Sequence, residues 1–463
     1  MSTATRAVVN PATGQTVAEV PEATAADVDA VVARATAAHQ EWSRSTVRTR
    51  RDVLRSMALM IRRDAEDLAR LESAHAGKPI AAARGEIGAA AEVFDYYAGA
   101  VDKVGGSTIP GNADGTLLTF REPVGVCAAI VPWNFPLLIL CWKLAPALAM
   151  GNAVVAKPAS LTPLTALALS HLAVEAGLPE GTFQVMTGPG GAVGEALVTH
   201  PGVRKVTFTG STEVGSRIMA LAANDITRVG LELGGKSASV VFDDLSDEQL
   251  DACVESSIWS VFDNAGQDCC ARSRMFVHES IADAFTERFV ARASSIAVGP
   301  TEDEATEMGP LISAAQRATS ESFIASAEAD GARRLCGGER PDLPGHYLTP
   351  AVFDRATLDM RFMRDEIFGP VVGIQTFSTE AEAVALANDS IYGLSGSVWC
   401  RDISRALRVS RSIETGMLSI NTSSSVHIEA PFGGMKQSGM GRDQGLAALD
   451  HYSELKTVFI AND

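Results

Sequence analysis

The sequence is poor in the features that would tie it to a metal, a disulfide framework or a membrane. Its seven cysteines are Cys127, Cys141, Cys253, Cys269, Cys270, Cys336 and Cys400, an odd number with no C-x-x-C pair. That pattern excludes a zinc knuckle or a disulfide scaffold, implies a reducing compartment, and leaves no metal ion expected. Positive charge is also short, with 39 Lys and Arg against 56 Asp and Glu and a net charge of -17. Neither a nucleic-acid backbone nor an anionic membrane surface is expected as the main partner. The opening "MSTATRAVVNPATG" has no apolar core of a secretory signal, so a cytoplasmic location is expected. The one long apolar stretch, Val124 to Ala156, is broken by Pro132, Asn134, Pro136, Lys143, Pro146 and Asn152. Those residues are costly in lipid, so the stretch reads as buried core. No internal repeat or low-complexity segment stands out, and the glycine turn in "FTGSTEVG" has neither G-x-G-x-x-G spacing nor a following G-K-[ST].

What remains is a large soluble core. Of 463 residues, 46% are hydrophobic and 21% charged, and the length matches roughly three domain-sized units. Thr24 and Asp27 have capping-box spacing, and Val28, Val31, Val32 and Ala35 follow at helical period. The first hundred residues are expected to be mostly helical. From Val124 short apolar strands alternate with helices: "VGVCAAIV", "PLLILCWKLAPALAM", "NAVVAKP", "TPLTALALSHLAVEAG", "TFQVMTG", "KVTFTG". Such alternation implies βαβ units and mostly parallel sheets covered on both faces. It resumes after Ser237 and continues to about Ile420, too much for one sheet, so two α/β domains are expected. Gly105 to Phe120 breaks the pattern and reads as a hairpin arm that pairs with the C-terminal "LKTVFI".

Several short motifs carry chemistry. "FTGSTEVG" runs a strand into glycines and a helix start, which suits a phosphate as well as an ordinary βα turn. Lys157 ends a strand, where open α/β sheets bind ligands; a solvated surface lysine is the alternative. Glu232 sits in "LELGGKS", where apolar company would raise its pKa toward that of a general base, unless an arginine pairs with it. "PWNFP" fixes Asn134 between prolines, as an oxyanion donor requires. In "NAGQDCCARSR" the adjacent Cys269 and Cys270 are expected to project in different directions, so one metal ion would hardly use both. A nucleophile or a buried inert thiol remains.

Taken in order, "PWNFP", "AKPAS", "FTGSTEVG", "LELGGK", "GQDCCARSR", "DEIFGPV" and "PFGGMKQSG" resemble the aldehyde dehydrogenase superfamily, nearest to its aminoaldehyde members. "VNPATG" and "ELKTV" extend the resemblance over essentially the whole chain. It implies an α/β fold with a Rossmann-like cofactor domain (residues 1–103 and 124–234), an α/β catalytic domain (235–437), and a small β oligomerisation arm with a C-terminal segment (104–123 and 438–463). It also implies a homodimer or homotetramer. The implied nucleophile is Cys269, the general base Glu232, and the oxyanion donors the Asn134 amide and the Cys269 N–H. Lys157 and Ser160 are implied at the adenosine ribose, Gly210 and Ser211 at the pyrophosphate, and Glu366 at the nicotinamide ribose. Trp133, Leu233 and Phe368 are implied to pack nearby. The implied reaction oxidises an aldehyde to its acid with NAD or NADP through a hemithioacetal and a thioester.

Three departures from the family pattern sharpen the expectation. Ser160 replaces a frequent Glu, which removes repulsion against a 2′-phosphate and admits NADP. Asp443 replaces a frequent Glu, and no role is assigned to it. Asp268, before the expected nucleophile, would pair with the cationic end of an ω-aminoaldehyde such as 4-aminobutanal, unless it turns to Arg272 or Arg274. Succinate semialdehyde or a broad range of aldehydes is the alternative substrate. A CoA-acylating relative and a non-catalytic protein on the same fold are the competing functions, and retention of Glu232 and Cys269 argues against each.

Overall fold

The computed structural model describes residues 4–111 and 114–462. Asn112 and Ala113, within the expected hairpin arm, lie outside the described residues, as do Met1 to Thr3 and Asp463 of the expected domain limits. Two sheets carry the fold. The first has the strand order Gly439–Met440, Arg228–Glu232, Val203–Thr209, Val126–Ile130, Ala153–Lys157, Phe183–Val185. All its pairings are parallel except that of Gly439–Met440 with the Arg228–Glu232 edge. The chain starts this sheet in the middle, builds outward through Ala153–Lys157 and Phe183–Val185, then returns to the other side with Val203–Thr209. The reversal falls between Val126–Ile130 and Val203–Thr209, and ligands bind outside the carboxyl ends of strands at such a point.

The reasons for burial are local. Val126–Ile130 and Ala153–Lys157 are buried along their whole lengths, because helices cover both faces. Helix Pro136–Ala149 has thirteen of its residues buried, so the broken apolar stretch is core. Thr24 opens the first helical segment as expected, its N–H donating to the Asp27 carboxylate at 2.9 Å. An N-terminal hairpin, Thr5–Val9 against Thr16–Pro21, precedes it, which the helical reading of this region did not include.

The second sheet has seven strands, in the order Arg333–Cys336, Ala351–Asp354, Val371–Phe377, Arg274–His278, Ala238–Val241, Gly396–Trp399, Ser419–Ile420. Its one antiparallel pair is at the Arg333–Cys336 edge. A third sheet pairs Ser453–Ala461 antiparallel with Gly115–Pro123, which also pairs with Thr108–Ile109. The segment after residue 438 thus divides between two sheets, Gly439–Met440 closing the first and Ser453–Ala461 extending the arm. Among the described residues, no helix is long and apolar enough to cross a membrane.

Candidate active site

A cavity of about 240 Å³ opens at the reversal point of the first sheet. Beyond Ile130 the chain supplies Trp133 and Asn134; beyond Thr209 it supplies Gly210 and Ser211; beyond Glu232 it supplies Leu233. The part of the chain that carries the second sheet contributes Cys269, Glu366 and Phe368 to the same cavity. Eight of the expected residues therefore share one wall. A larger open depression of about 900 Å³, lined in part by Thr286, Arg333 and Gln375, gathers none of them.

The loop that presents Cys269 is held by backbone shape. Asn264, Ala265 and Gly266 all have positive φ (49°, 56° and 71°). At Gly266 a Cβ would also lie 2.3 Å from the Gly369 carbonyl oxygen, so glycine is needed for both reasons. Gln267 is buried, its Nε2 donating to the Asn264 carbonyl at 2.9 Å and its Oε1 accepting from Ile312 N–H at 2.9 Å. Asn134 donates one Nδ2 hydrogen to the Gln267 carbonyl at 2.9 Å, which fixes the amide plane and leaves the second hydrogen free. Among the described residues, the Cys269 backbone N–H has no acceptor. Two donors are thus available beside the sulfur. A hydrogen bond with Cys270, followed by burial and the nearby charges of Cys270, Asp268 and Glu366, holds the Cys269 thiol well above its ordinary pKa.

The far wall is equally fixed. Phe368 has φ 54° and meets Trp133 edge-on, with centroids 5.2 Å apart. Gln316 restrains the strained turn, its Nε2 donating to the carbonyls of Ile367 at 3.1 Å and Phe368 at 2.8 Å. Glu366 accepts from Gly235 N–H at 3.0 Å. Burial raises its carboxyl to about 7, against the opposing pull of that hydrogen bond and of Lys236. Ser211 caps helix Thr212–Ala222, its hydroxyl accepting from Val214 N–H at 3.3 Å, so the helix N-terminus faces the cavity.

Four expected residues lie outside this cavity. Lys157 is buried rather than solvated, because it ends a strand covered on both faces. Its Nζ donates to the Pro158 carbonyl at 3.0 Å, and burial, followed by the charge of Arg6, lowers its pKa to about 8. Ser160 donates to the Gly188 carbonyl at 2.9 Å. Glu232 is 5% exposed, and its Oε2 is buried without a partner. Burial, followed by Asp443, raises its carboxyl well above the ordinary value, and no arginine pairs with it. Asp268 accepts from Cys270 N–H at 2.9 Å.

Asp268 does not turn to either neighbouring arginine. Arg272 donates to Ser397 Oγ at 3.1 Å and to the Cys270 carbonyl at 3.2 Å. Arg274 is spent on the carbonyls of Lys236, Leu386, Ala387 and Asp389. Nor do the adjacent thiols diverge. Both sulfurs and one Asp268 carboxylate oxygen lie within 4.8 Å of one another. The expected divergence assumed a regular helix or strand, whereas Asp268 to Cys270 form a turn stapled by the Asp268 side chain.

Sequence reasoning missed two supports. Gln316 stands three residues after Ser313, a spacing that signals only a helix cap. Asp443 accepts from Lys143 Nζ at 2.7 Å, a buried pair 300 residues apart in sequence that sits beside Glu232.

A sequence profile of the aldehyde dehydrogenase family matches residues 1–458. The chain belongs to the aldehyde dehydrogenase family. Among solved aldehyde dehydrogenases, a putative one from Burkholderia cenocepacia is 42% identical, with 99% of this chain and 94% of that chain covered and a TM-score of 0.97. Betaine aldehyde dehydrogenase from Staphylococcus aureus, in complex with NAD+, is 40% identical, with 98% and 91% covered and a TM-score of 0.96. An indole-3-acetaldehyde dehydrogenase of P. syringae, in complex with NAD+ and IAA, is 40% identical, with 99% and 93% covered and a TM-score of 0.97.

Proposed function

We propose that this aldehyde dehydrogenase oxidises ω-aminoaldehydes such as 4-aminobutanal to their acids with NAD+, through a thioester on Cys269. The observation that carries the reaction is the placement of the Cys269 thiol and the Asn134 amide in one cavity with Trp133, Ser211, Glu366 and Phe368. The residues present fit a dinucleotide. A helix N-terminus suits the pyrophosphate, and the Glu366 carboxyl suits ribose hydroxyls. At Gly234 a Cβ would lie 2.4 Å from Glu366 Oε2, so this approach is open only to glycine. Lys157 and Ser160, on the neighbouring strand end, are assigned to the adenosine ribose. Two of the solved relatives described above, the betaine aldehyde and indole-3-acetaldehyde dehydrogenases, are NAD+ complexes. Serine at 160 and the positive charge of Arg6 near Lys157 also admit a 2′-phosphate.

The thiol of Cys269 gives its proton to water and its sulfur adds to the carbonyl carbon, giving a hemithioacetal. The free Asn134 N–H and the Cys269 N–H meet the oxygen as its charge develops. When bound, the nicotinamide supplies a hydride acceptor, and the adduct becomes a thioester. Glu232 then takes a proton from water, which attacks the thioester and frees the acid. In its resting position Glu232 lies against Gly433, outside the cavity, so it must rotate to act. The Lys143 and Asp443 pair beside it sets the charge it meets there.

Substrate preference rests on Asp268. It is half-buried beside Cys269 and neither arginine hydrogen-bonds it, so its carboxylate is available to an ammonium group. The exposed Phe120, Leu455, Phe459 and Ile460 on the arm support assembly into a homo-oligomer. The test is an aldehyde panel run with NAD+ and NADP+ on the wild type and on Asp268→Ala. The substitution should lower kcat/KM for 4-aminobutanal more than for pentanal. Equal losses would remove the cation-binding role.

A further inference from the structure

The cluster of Asp268, Cys269 and Cys270 holds more than a single nucleophile requires. Two sulfurs and a carboxylate oxygen lie within 4.8 Å of one another. Cys270 is 3% exposed, whereas Cys269 and Asp268 are half-buried, so two of the three groups are partly open to solvent. A tetrahedral zinc ion binds thiolate sulfur at about 2.3 Å and carboxylate oxygen at about 2.0–2.2 Å, which places its ligands about 3.6 Å apart. Rotation of three side chains on one turn spans the remaining difference.

A second observation concerns charge. Two thiolates and a carboxylate carry three negative charges, and a divalent cation leaves one. Arg272, 2% exposed, points Nη1 at the Cys270 carbonyl and has a buried Nη2 with no partner. The nearby charges of Cys270, Asp268 and Cys269 favour its charged guanidinium, although burial opposes it and no ion pair joins it to Asp268. With that charge included, the loaded cluster is neutral, as a buried site needs.

We propose that Asp268, Cys269 and Cys270 form a reversible inhibitory site for a thiophilic divalent cation of the Zn2+ class, with the fourth position open to water. Two thiol protons are released on binding and no electrons move, so a chelator restores the thiols. Two sulfur ligands select against Mg2+ and Ca2+. The inhibitory half rests on Cys269 as the nucleophile; the binding half does not.

The test is titration of the reduced, chelator-washed enzyme with Co2+, read by the thiolate-to-cobalt charge-transfer absorption, in the absence of substrate. The wild type should develop the band at one Co2+ per chain and lose it to Zn2+ or a chelator. Cys336→Ser should behave as the wild type. Cys270→Ser and Asp268→Asn, each checked for an unchanged thermal transition, should weaken the band. Cys270→Ser should also raise the Zn2+ concentration for half-inhibition more than about a hundredfold, beyond the cost of losing an outer-shell partner. Absence of the band, or its survival in both variants, overturns the site. A band of wild-type character with turnover undiminished by saturating Zn2+ keeps the binding site and overturns the inhibitory role, together with the assignment of Cys269 as nucleophile.

Discussion

Replacement of Asn134 by alanine separates an oxyanion donor from a structural turn residue. In the wild type, one Nδ2 hydrogen goes to the Gln267 carbonyl at 2.9 Å and the other is free, while Oδ1 is buried without a partner. Truncation removes one neutral hydrogen bond, worth about 0.5–1.5 kcal/mol. The Gln267 carbonyl keeps a second donor, Asn264 Nδ2 at 3.3 Å, so it is not orphaned. Loss of the unsatisfied Oδ1 offsets part of the remaining cost. Stability should therefore change by no more than about 1 kcal/mol, a few degrees in Tm. Loss of a donor aimed at the developing charge should instead lower kcat by about 10²–10³, or 2.7–4 kcal/mol. Asn134→Asp, of the same shape but without the N–H, should lose as much. Steady-state kcat and KM at saturating cofactor, with thermal denaturation, measure both quantities. A kcat within about tenfold of wild type, or a loss confined to KM, would refute the reasoning, because uniform binding would then be the role of this amide.

Other outcomes follow from the same geometry. Lys157, lowered to about 8 by burial, is charged below that pH and neutral above it, so KM for the cofactor should rise as pH passes about 8; Lys157→Met should abolish that rise. Asp443→Asn leaves Lys143 buried without its counter-charge, which should cost roughly 3–5 kcal/mol in urea unfolding. The same change removes a negative charge facing Glu232, so the pH dependence of thioester hydrolysis should move toward lower pH. Gly234→Ala puts a methyl group 2.4 Å from Glu366 Oε2. It should raise KM for the cofactor by the roughly 1–3 kcal/mol that overpacking costs, with kcat for bound cofactor less affected.

Legibility in the sequence followed distance along the chain. The alternation after Val124 reported two α/β layers, because fully buried strands such as Val126–Ile130 are continuous apolar runs. Local motifs named the cavity wall for a similar reason, since Trp133, Asn134, Gly210, Ser211 and Leu233 each follow directly after a strand of one sheet. Contacts between distant segments were not legible. Lys143 and Asp443 meet only when the C-terminal segment folds back onto helix Pro136–Ala149, and Gln316 reaches Phe368 from a helix whose start looks ordinary. Asp268 was visible as a departure, but its freedom from Arg272 and Arg274 depended on Ser397 and on carbonyls more than one hundred residues away. The convergence of the two thiols depended on a turn that the periodicity of neighbouring elements did not reveal.

The central claim is that Cys269, beside Asn134 and relieved by Glu232, carries the acyl group. Its most direct test is peptide mass spectrometry of Glu232→Gln after brief exposure to an aldehyde and NAD+. One equivalent of NADH should form rapidly, and fragmentation should place one acyl group on Cys269. An acyl group on Cys270, or NADH formation at full turnover with no adduct on either cysteine, would contradict the account.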